Sequence, residues 1–210
     1  MTVDPSLQSA IDALSFPGIV IGHRLISPGD EDALLPEEAA AFASSVVKVR
    51  RASGSARIVA RQLLKQLGQP ECALPRTSGG APAWPPGVVG SLAHDSRVAV
   101  AAIALGCDVG AVGIDVEPAE SLPAELLDLV ATPQERLRIG DDPYQGRLLF
   151  VAKEAVYKAV YPLDQKFLDH HDVQIRFAEH KAVVRNGRIV ELRFCIATNL
   201  VALAVLPGLR

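Results

Sequence analysis

The stretch Gly113-Ile114-Asp115-Val116-Glu117 sets two carboxylates one residue apart among apolar neighbours. Such a run reads as a β-strand, in which residues i and i+2 project from one face. Asp115 and Glu117 therefore point the same way from a largely buried element. Two like charges so placed repel and lose water, and they call for a cation or strong donors. A hard divalent ion held by oxygens, Mg²⁺, meets that need. Taken alone, the pair would equally suit a surface-facing, salt-bridged strand.

A second signal lies in Phe150-Val151-Ala152-Lys153-Glu154-Ala155-Val156-Tyr157-Lys158-Ala159-Val160-Tyr161-Pro162. The run favours a helix that Pro162 would stop. Glu154 and Lys158 are four apart and share a helix face, and Lys153 directly precedes Glu154. An acid and a base on one face near a metal could ligate it and move a proton. As an isolated ion pair they would contribute only ~0.3–0.5 kcal/mol.

The elements that must position these groups read as follows. Residues 1–34, with Pro5, Pro17, Pro28 and Gly29, suggest short strands and turns. Pro36 opens a helix that the Ala-rich residues 37–49 continue. A second helix spans 55–67 on Ile58, Leu63, Leu64 and Leu67, with Gly68 as its stop. Residues 70–87 are a Pro/Gly-rich loop. Strands follow at 88–92, 98–105 and 109–117, then a helical stretch near 123–139 and the Lys153 helix. The last third is strand-rich, at 173–177, 182–185, 189–194 and 200–206, with Asn186-Gly187 signalling a type I′ hairpin. Leu92-Ala93-His94-Asp95 before Val98-Ala99-Val100-Ala101 is echoed by Ile196-Ala197-Thr198-Asn199 before Val201-Ala202-Leu203-Ala204. The echo hints at a duplicated α+β unit, with a ligand cleft between its halves.

Between Glu38 and Glu71 there is no acidic residue, while Lys48, Arg50, Arg51, Arg57, Arg61 and Lys65 accumulate. Arg suits phosphate through bidentate contacts. Arg76-Thr77-Ser78-Gly79-Gly80 adds a cation and backbone amides in a flexible loop. His94, at a strand end, could bond backbone or donate to a phosphate.

The 210 residues are enough for one large or two small domains with a sizeable core. A net charge of −3 does not point to nucleic acid. No apolar stretch is long enough to span a membrane, and the N-terminus lacks a signal-peptide pattern. Cys72, Cys107 and Cys195 match neither a disulfide framework nor a zinc spacing, which points to a reducing cytoplasm.

Three motifs then occur in order: Val89-Gly90-Ser91-Leu92-Ala93-His94, Val112-Gly113-Ile114-Asp115-Val116-Glu117 and Phe150-Val151-Ala152-Lys153-Glu154-Ala155-Val156-Tyr157-Lys158. With Pro82-Ala83-Trp84-Pro85-Pro86-Gly87 and the Arg50-Arg51 stretch, the chain resembles the 4′-phosphopantetheinyl transferases. The likeness is to the enterobactin synthetase component D-like type that serves siderophore and secondary-metabolite synthesis. It covers roughly residues 35–170. The family commonly has Thr or Ser where this chain has Ala93, and Glu-Phe where it has Ser53-Gly54.

The resemblance implies an α+β fold of two similar halves, 1–108 and 109–210, each with helices packed on a small antiparallel sheet. Coenzyme A and Mg²⁺ would lie in the cleft between them. The implied reaction moves phosphopantetheine from coenzyme A to a serine of an acyl or peptidyl carrier protein and releases adenosine 3′,5′-bisphosphate. Asp115, Glu117 and Glu154, with the Val116 carbonyl, would hold the metal. Glu154 would take the serine proton, and Lys158 and His94 would stabilise phosphate charge. Arg50 or Arg51, Arg57, Arg76, Thr77, Ser78, Gly79, Ala93, His94, Lys153 and Lys158 would contact coenzyme A. A monomer could build the whole cleft. A non-catalytic coenzyme A or nucleotide sensor and a Mg²⁺-dependent phosphohydrolase are the rival readings.

Overall fold

The computed structural model describes residues 2–208. Two antiparallel sheets carry the fold. Helix α1 (Pro5–Asp12) precedes strand β1 (Ile19–Leu25), short helix α2 (Pro36–Ala39) and long helix α3 (Val47–Gln66). The hairpin β2 (Val88–His94) and β3 (Val98–Leu105) completes a sheet of order β1-β3-β2. Strand β4 (Val109–Pro118) then opens the second unit, followed by α4 (Ala124–Val130), α5 (Pro133–Arg136) and long helix α6 (Gln145–Asp164). Strands β5 (Val173–Arg176), β6 (Lys181–Val184), β7 (Ile189–Ile196) and β8 (Asn199–Pro207) give a sheet of order β4-β8-β7-β6-β5.

The two units share one plan. In each, an entering strand leads to a long helix and then to a hairpin whose second strand inserts beside the entering strand. Thus β1-β3-β2 corresponds to β4-β8-β7, and β5-β6 extends the second sheet. The sequence echo falls at the two equivalent hairpin ends, β2 to β3 and β7 to β8. The α+β architecture of two similar halves expected from the sequence is what the chain adopts.

A buried glutamate repeats as well. Glu38 caps α2 by accepting from the Leu35 amide at 2.9 Å, and it also accepts from Arg61 Nη1 of α3 at 2.9 Å and the Leu74 amide at 2.8 Å. Glu135 caps α5 by accepting from the Thr132 amide at 2.9 Å, and it accepts from Lys153 Nζ of α6 at 2.7 Å and the Ile175 amide at 2.8 Å. Each carboxylate ties a short helix, a long helix and the segment beyond it, which meets the need of a buried charge for partners.

Strand β4 lies between layers. Val112, Ile114 and Val116 pack with α1 and β3, whereas Ala111 joins the core around α6. On the α6 side, a Cβ on Gly113 would stand 1.9 Å from the Ala155 carbonyl. Only glycine there lets α6 lie directly on the strand.

Several element boundaries differ from the sequence reading. Asp4 caps a helix over Pro5–Asp12, where only strands and turns were expected; its Oδ1 accepts from the Ser6 and Leu7 amides at 3.0 and 3.2 Å. The helix expected over 37–49 stops at Ala39 and gives way to a 3-10 turn at Ala40–Phe42, because Phe42 turns into the core. Helix α3 then begins at Val47 and runs through Gly54, whose Cβ would meet the Asp30 carbonyl at 1.9 Å. Gly54 is a close-approach glycine and not a helix break. The stretch expected near 123–139 is two helices, because Thr132 and Pro133 start a new one. Pro162 sits inside the last turn of α6, which ends where Gln165 turns left-handed at φ 51°. At Asn186-Gly187 only Gly187 has positive φ, 84°. The Gly187 amide donates to the Val184 carbonyl at 2.8 Å and the Val184 amide to the Arg188 carbonyl at 2.9 Å. This is a three-residue hairpin loop with a bulge, not the type I′ turn.

Candidate active site

The gap between the two units is a cleft of about 810 Å³. One wall is the loop from Arg76 to Trp84 with Ser53, Ala56 and Arg57 of α3. The floor is β2 up to His94, and the far wall is Tyr157, Lys158, Tyr161 and Pro162 of α6. A volume of this size is in the range of small-molecule and cofactor sites.

Lys158 connects the cleft to the carboxylates. Its Nζ donates to Asp115 Oδ1 at 2.6 Å. Asp115 and Glu117, two residues apart on β4, both turn toward α6, as the strand period required. Burial raises the Asp115 carboxyl above the usual range, against the pull of Lys158. Burial first, and the charge of Asp115 second, raise both Glu117 and Glu154; Glu117 also raises Glu154. The charge of Asp115 thus reaches both glutamates, and Lys158 and Arg147 offset it only in part. Hard oxygen donors in mutual repulsion are the donor set that suits a divalent ion such as Mg²⁺.

Among the described residues, however, no three His, Cys, Asp or Glu side chains converge at ligand spacing. The three expected ligands lie close enough for their charges to interact but do not form a ligand cluster. Each is drawn toward a group of the chain: Asp115 to Lys158, Glu117 to Arg147 Nη1 at 3.0 Å, and Glu154 toward His170 Nε2 at 3.8 Å. The Val116 side chain is buried in the core facing away from α6.

The other expected residues divide. Arg57, Arg76, Thr77, Gly79, Ala93, His94 and Lys158 line the cleft. Arg76 is solvent-exposed, lies over the Phe42 ring at 4.5 Å and makes no ion pair among the described residues. Arg57 shares that ring at 5.1 Å but is buried, donating from Nε to the Leu74 carbonyl at 3.0 Å and from Nη1 to the Ser53 carbonyl at 3.2 Å. His94 is exposed at the rim, yet the cleft walls desolvate its ring; this, with the Lys158 charge, lowers its pKa and favours the neutral imidazole. Ser78 lies outside the lining. The amides of Thr77 and Gly80 are spent inside the loop, with the Ala81 and Thr77 carbonyls at 2.8 and 2.9 Å.

Two expected coenzyme A contacts are corrected outright. Lys153 is 1% exposed, and all three of its protons are used by Glu135, the Val130 carbonyl at 2.8 Å and the His170 carbonyl at 2.9 Å. Arg51 forms a two-pronged pair with Glu31 at 2.8 and 2.9 Å, which holds the Glu31 carboxyl down to about 2. Arg50 is not in the lining, but it shares the α3 stripe of Ser53 and Arg57 at i+3 and i+7, and its Nη1 donates to the Ser45 carbonyl at 3.2 Å.

The two units match two known family profiles. The profile of the 4′-phosphopantetheinyl transferase N-terminal domain matches residues 37–104, and that of the 4′-phosphopantetheinyl transferase superfamily matches 111–201. 4′-Phosphopantetheinyl transferase Npt of Nocardia iowensis is 43% identical over 179 residues, covering 84% of this chain and 75% of the relative. The chain belongs to the 4′-phosphopantetheinyl transferase family. PptT of Mycobacterium tuberculosis, another 4′-phosphopantetheinyl transferase, is 37% identical over 197 residues, covering 90% and 85% of the two chains. Svp of Streptomyces mobaraensis, of the same description, is 40% identical over 156 residues, covering 71% of this chain and 63% of the relative. The family's enzymes use coenzyme A to place phosphopantetheine on carrier proteins, and this chain is such a transferase.

The transferase's cleft also has residues that the sequence reading did not single out. Tyr157 and Tyr161 line it, their rings 5.3 Å apart. Tyr161 lies seven residues after Glu154, so helical projection alone could have placed it on that face. Arg147 lies seven residues before Glu154 and was open to the same inference. Among the described residues no helix is long and apolar enough to cross a membrane.

Proposed function

We propose that transfer from coenzyme A to the carrier serine runs at the junction of β4 and α6, with Mg²⁺ held by Asp115, Glu117 and Glu154. The observation that carries this reading is the antiparallel juxtaposition of Asp115 and Glu117 with Glu154 and Lys158 beside a cleft whose opposite wall bears Arg57 and Arg76. When bound, the ion would neutralise the coenzyme A diphosphate and stabilise the departing phosphate. Glu154 would take the proton of the serine hydroxyl, and its carboxyl is raised by burial and by Asp115, which favours proton uptake. Lys158 faces both Asp115 and the cleft, where a diphosphate would lie. A neutral His94 donates to a phosphate oxygen from the rim. Arg76, with Arg57 behind it and Arg50 on the same helix stripe, receives the 3′-phosphate side.

The working unit in this reading is a monomer of halves 1–108 and 109–210 in the cytoplasm, serving carriers of siderophore or secondary-metabolite synthesis. A docking surface for the carrier follows Pro118, where Leu126 and Leu129 of α4 stand 40% and 63% exposed. Incubation with coenzyme A, Mg²⁺ and an apo carrier protein should add one phosphopantetheine to the carrier, read by intact-protein mass. Coenzyme A breakdown without carrier labelling would support the phosphohydrolase instead, and binding without either would support the sensor.

Arg76→Ala should weaken coenzyme A binding about tenfold, the worth of one charge-assisted contact, and leave dephospho-coenzyme A nearly unaffected. Calorimetry on both ligands checks this, and equal losses would remove Arg76 from the 3′-phosphate.

The raised carboxyls also give a pH-dependent signature. A carboxyl whose folded pKa is raised binds more protons folded than unfolded, so its ionisation costs stability as pH rises through the folded value. A bound cation relieves that cost and needs the ionised forms. Mg²⁺ should therefore raise the melting temperature more at pH 8 than at pH 5.5. An equal shift at both, measured by thermal unfolding, would count against this site.

A further inference from the structure

Arg147, Glu154 and Lys158 fall at i, i+7 and i+11 of α6, one stripe along its face toward β4. The stripe runs antiparallel to the strand: Gly113 lies against Ala155 and Ala159, Asp115 meets Lys158, and Glu117 meets Arg147. Three carboxylates thus face two cations of the chain itself. Lys158 also opens onto the cleft, where phosphate could draw it away. Arg147 is not in the cleft lining. Its Nη1 donates to Glu117 and its Nη2 to the Ser121 carbonyl at 3.1 Å, in the loop after β4.

Arg147 is only partly satisfied there. Its side chain is 15% exposed, and its Nε is buried without a hydrogen-bond acceptor. A guanidinium with an orphaned donor is held at a cost, and Glu117 and the Ser121 carbonyl are what hold it.

We propose that Arg147 is a built-in counterion that occupies Glu117 and competes with the divalent ion for it, so that the ion must displace the guanidinium and the enzyme's cation requirement is set by this pair. The proposal rests on the metal reading of Asp115, Glu117 and Glu154. It makes Arg147 a positioning residue, acting through Glu117 and not on the substrate.

The test titrates the full chain with Mn²⁺ alone, counting free ion by electron paramagnetic resonance, with Mg²⁺ as competitor. Arg147→Gln keeps a polar side chain and removes the charge, and it should tighten Mn²⁺ binding about tenfold, within the usual range of such couplings. Arg147→Lys keeps the charge and should stay close to wild type. Far-ultraviolet circular dichroism establishes that both variants fold. If Arg147→Gln misfolds, Arg147→Lys and Arg147→Met carry the same comparison. Equal or weaker Mn²⁺ binding in the uncharged variant, with wild type binding the ion, would overturn the counterion role and leave the metal site standing. Absence of ion binding in wild type and variants alike would overturn both.

Discussion

Asp115→Asn should lower the rate of carrier labelling by a thousandfold or more while the protein folds normally. The carboxylate is buried, bonds Lys158, and lies where its charge raises both Glu117 and Glu154. The amide keeps the shape and removes the negative charge that would hold the ion and place Lys158. A thousandfold corresponds to about 4 kcal/mol of transition-state stabilisation, the scale expected of one metal-held charge. The direction of the Asp115 shift separates this from a folding defect. Its folded pKa is raised, so the ionised form costs stability at neutral pH, and neutralising it should leave unfolding free energy unchanged or slightly higher. Labelling kinetics with urea unfolding of the same sample decide it. Near-normal turnover in excess Mg²⁺ would remove Asp115 from the metal site.

Lys153→Ala should do the reverse, costing about 3–5 kcal/mol of stability with little effect on coenzyme A affinity. The ammonium is enclosed by one carboxylate and two carbonyls that join α5, the end of α4 and the turn before β5. Removing it leaves Glu135 charged and buried, still holding the Thr132 and Ile175 amides but without its counterion. Such a loss is a large fraction of a domain's total of about 5–15 kcal/mol, so the variant should be handled near 15 °C. Urea unfolding and calorimetric titration of the folded fraction test it. A small stability loss with a large loss of affinity would return Lys153 to the cleft.

The contrast between adjacent residues Lys153 and Glu154 shows what was legible in the sequence. Strand period put Asp115 and Glu117 on one face, and helix period put Glu154 and Lys158 on another; both follow from local geometry. The ordered motifs then named the family. What could not be read was the partner of each charge. Lys153 and Lys158 lie in one helix motif, yet one binds Glu135, 18 residues away, and the other Asp115, 43 residues away. Arg50 and Arg51 differ by about a hundred degrees around α3, and only the position of Glu31 decides that Arg51 is spent. The start of α3 was hidden for the same reason: Gly54 lies inside the helix because the Asp30 carbonyl approaches there from another segment. Asp4-Pro5 carries a local cap signal for α1, an acceptor side chain followed by a proline at the first helical position.

The most direct measurement is a crystal of the protein grown with coenzyme A and Mn²⁺, with anomalous scattering to locate the ion. One peak is expected in contact with carboxylate oxygens of Asp115, Glu117 and Glu154 and with the diphosphate, and Arg147 swung away from Glu117. A diphosphate bound with no ion at these carboxylates, or an ion held elsewhere on the chain, would contradict this placement.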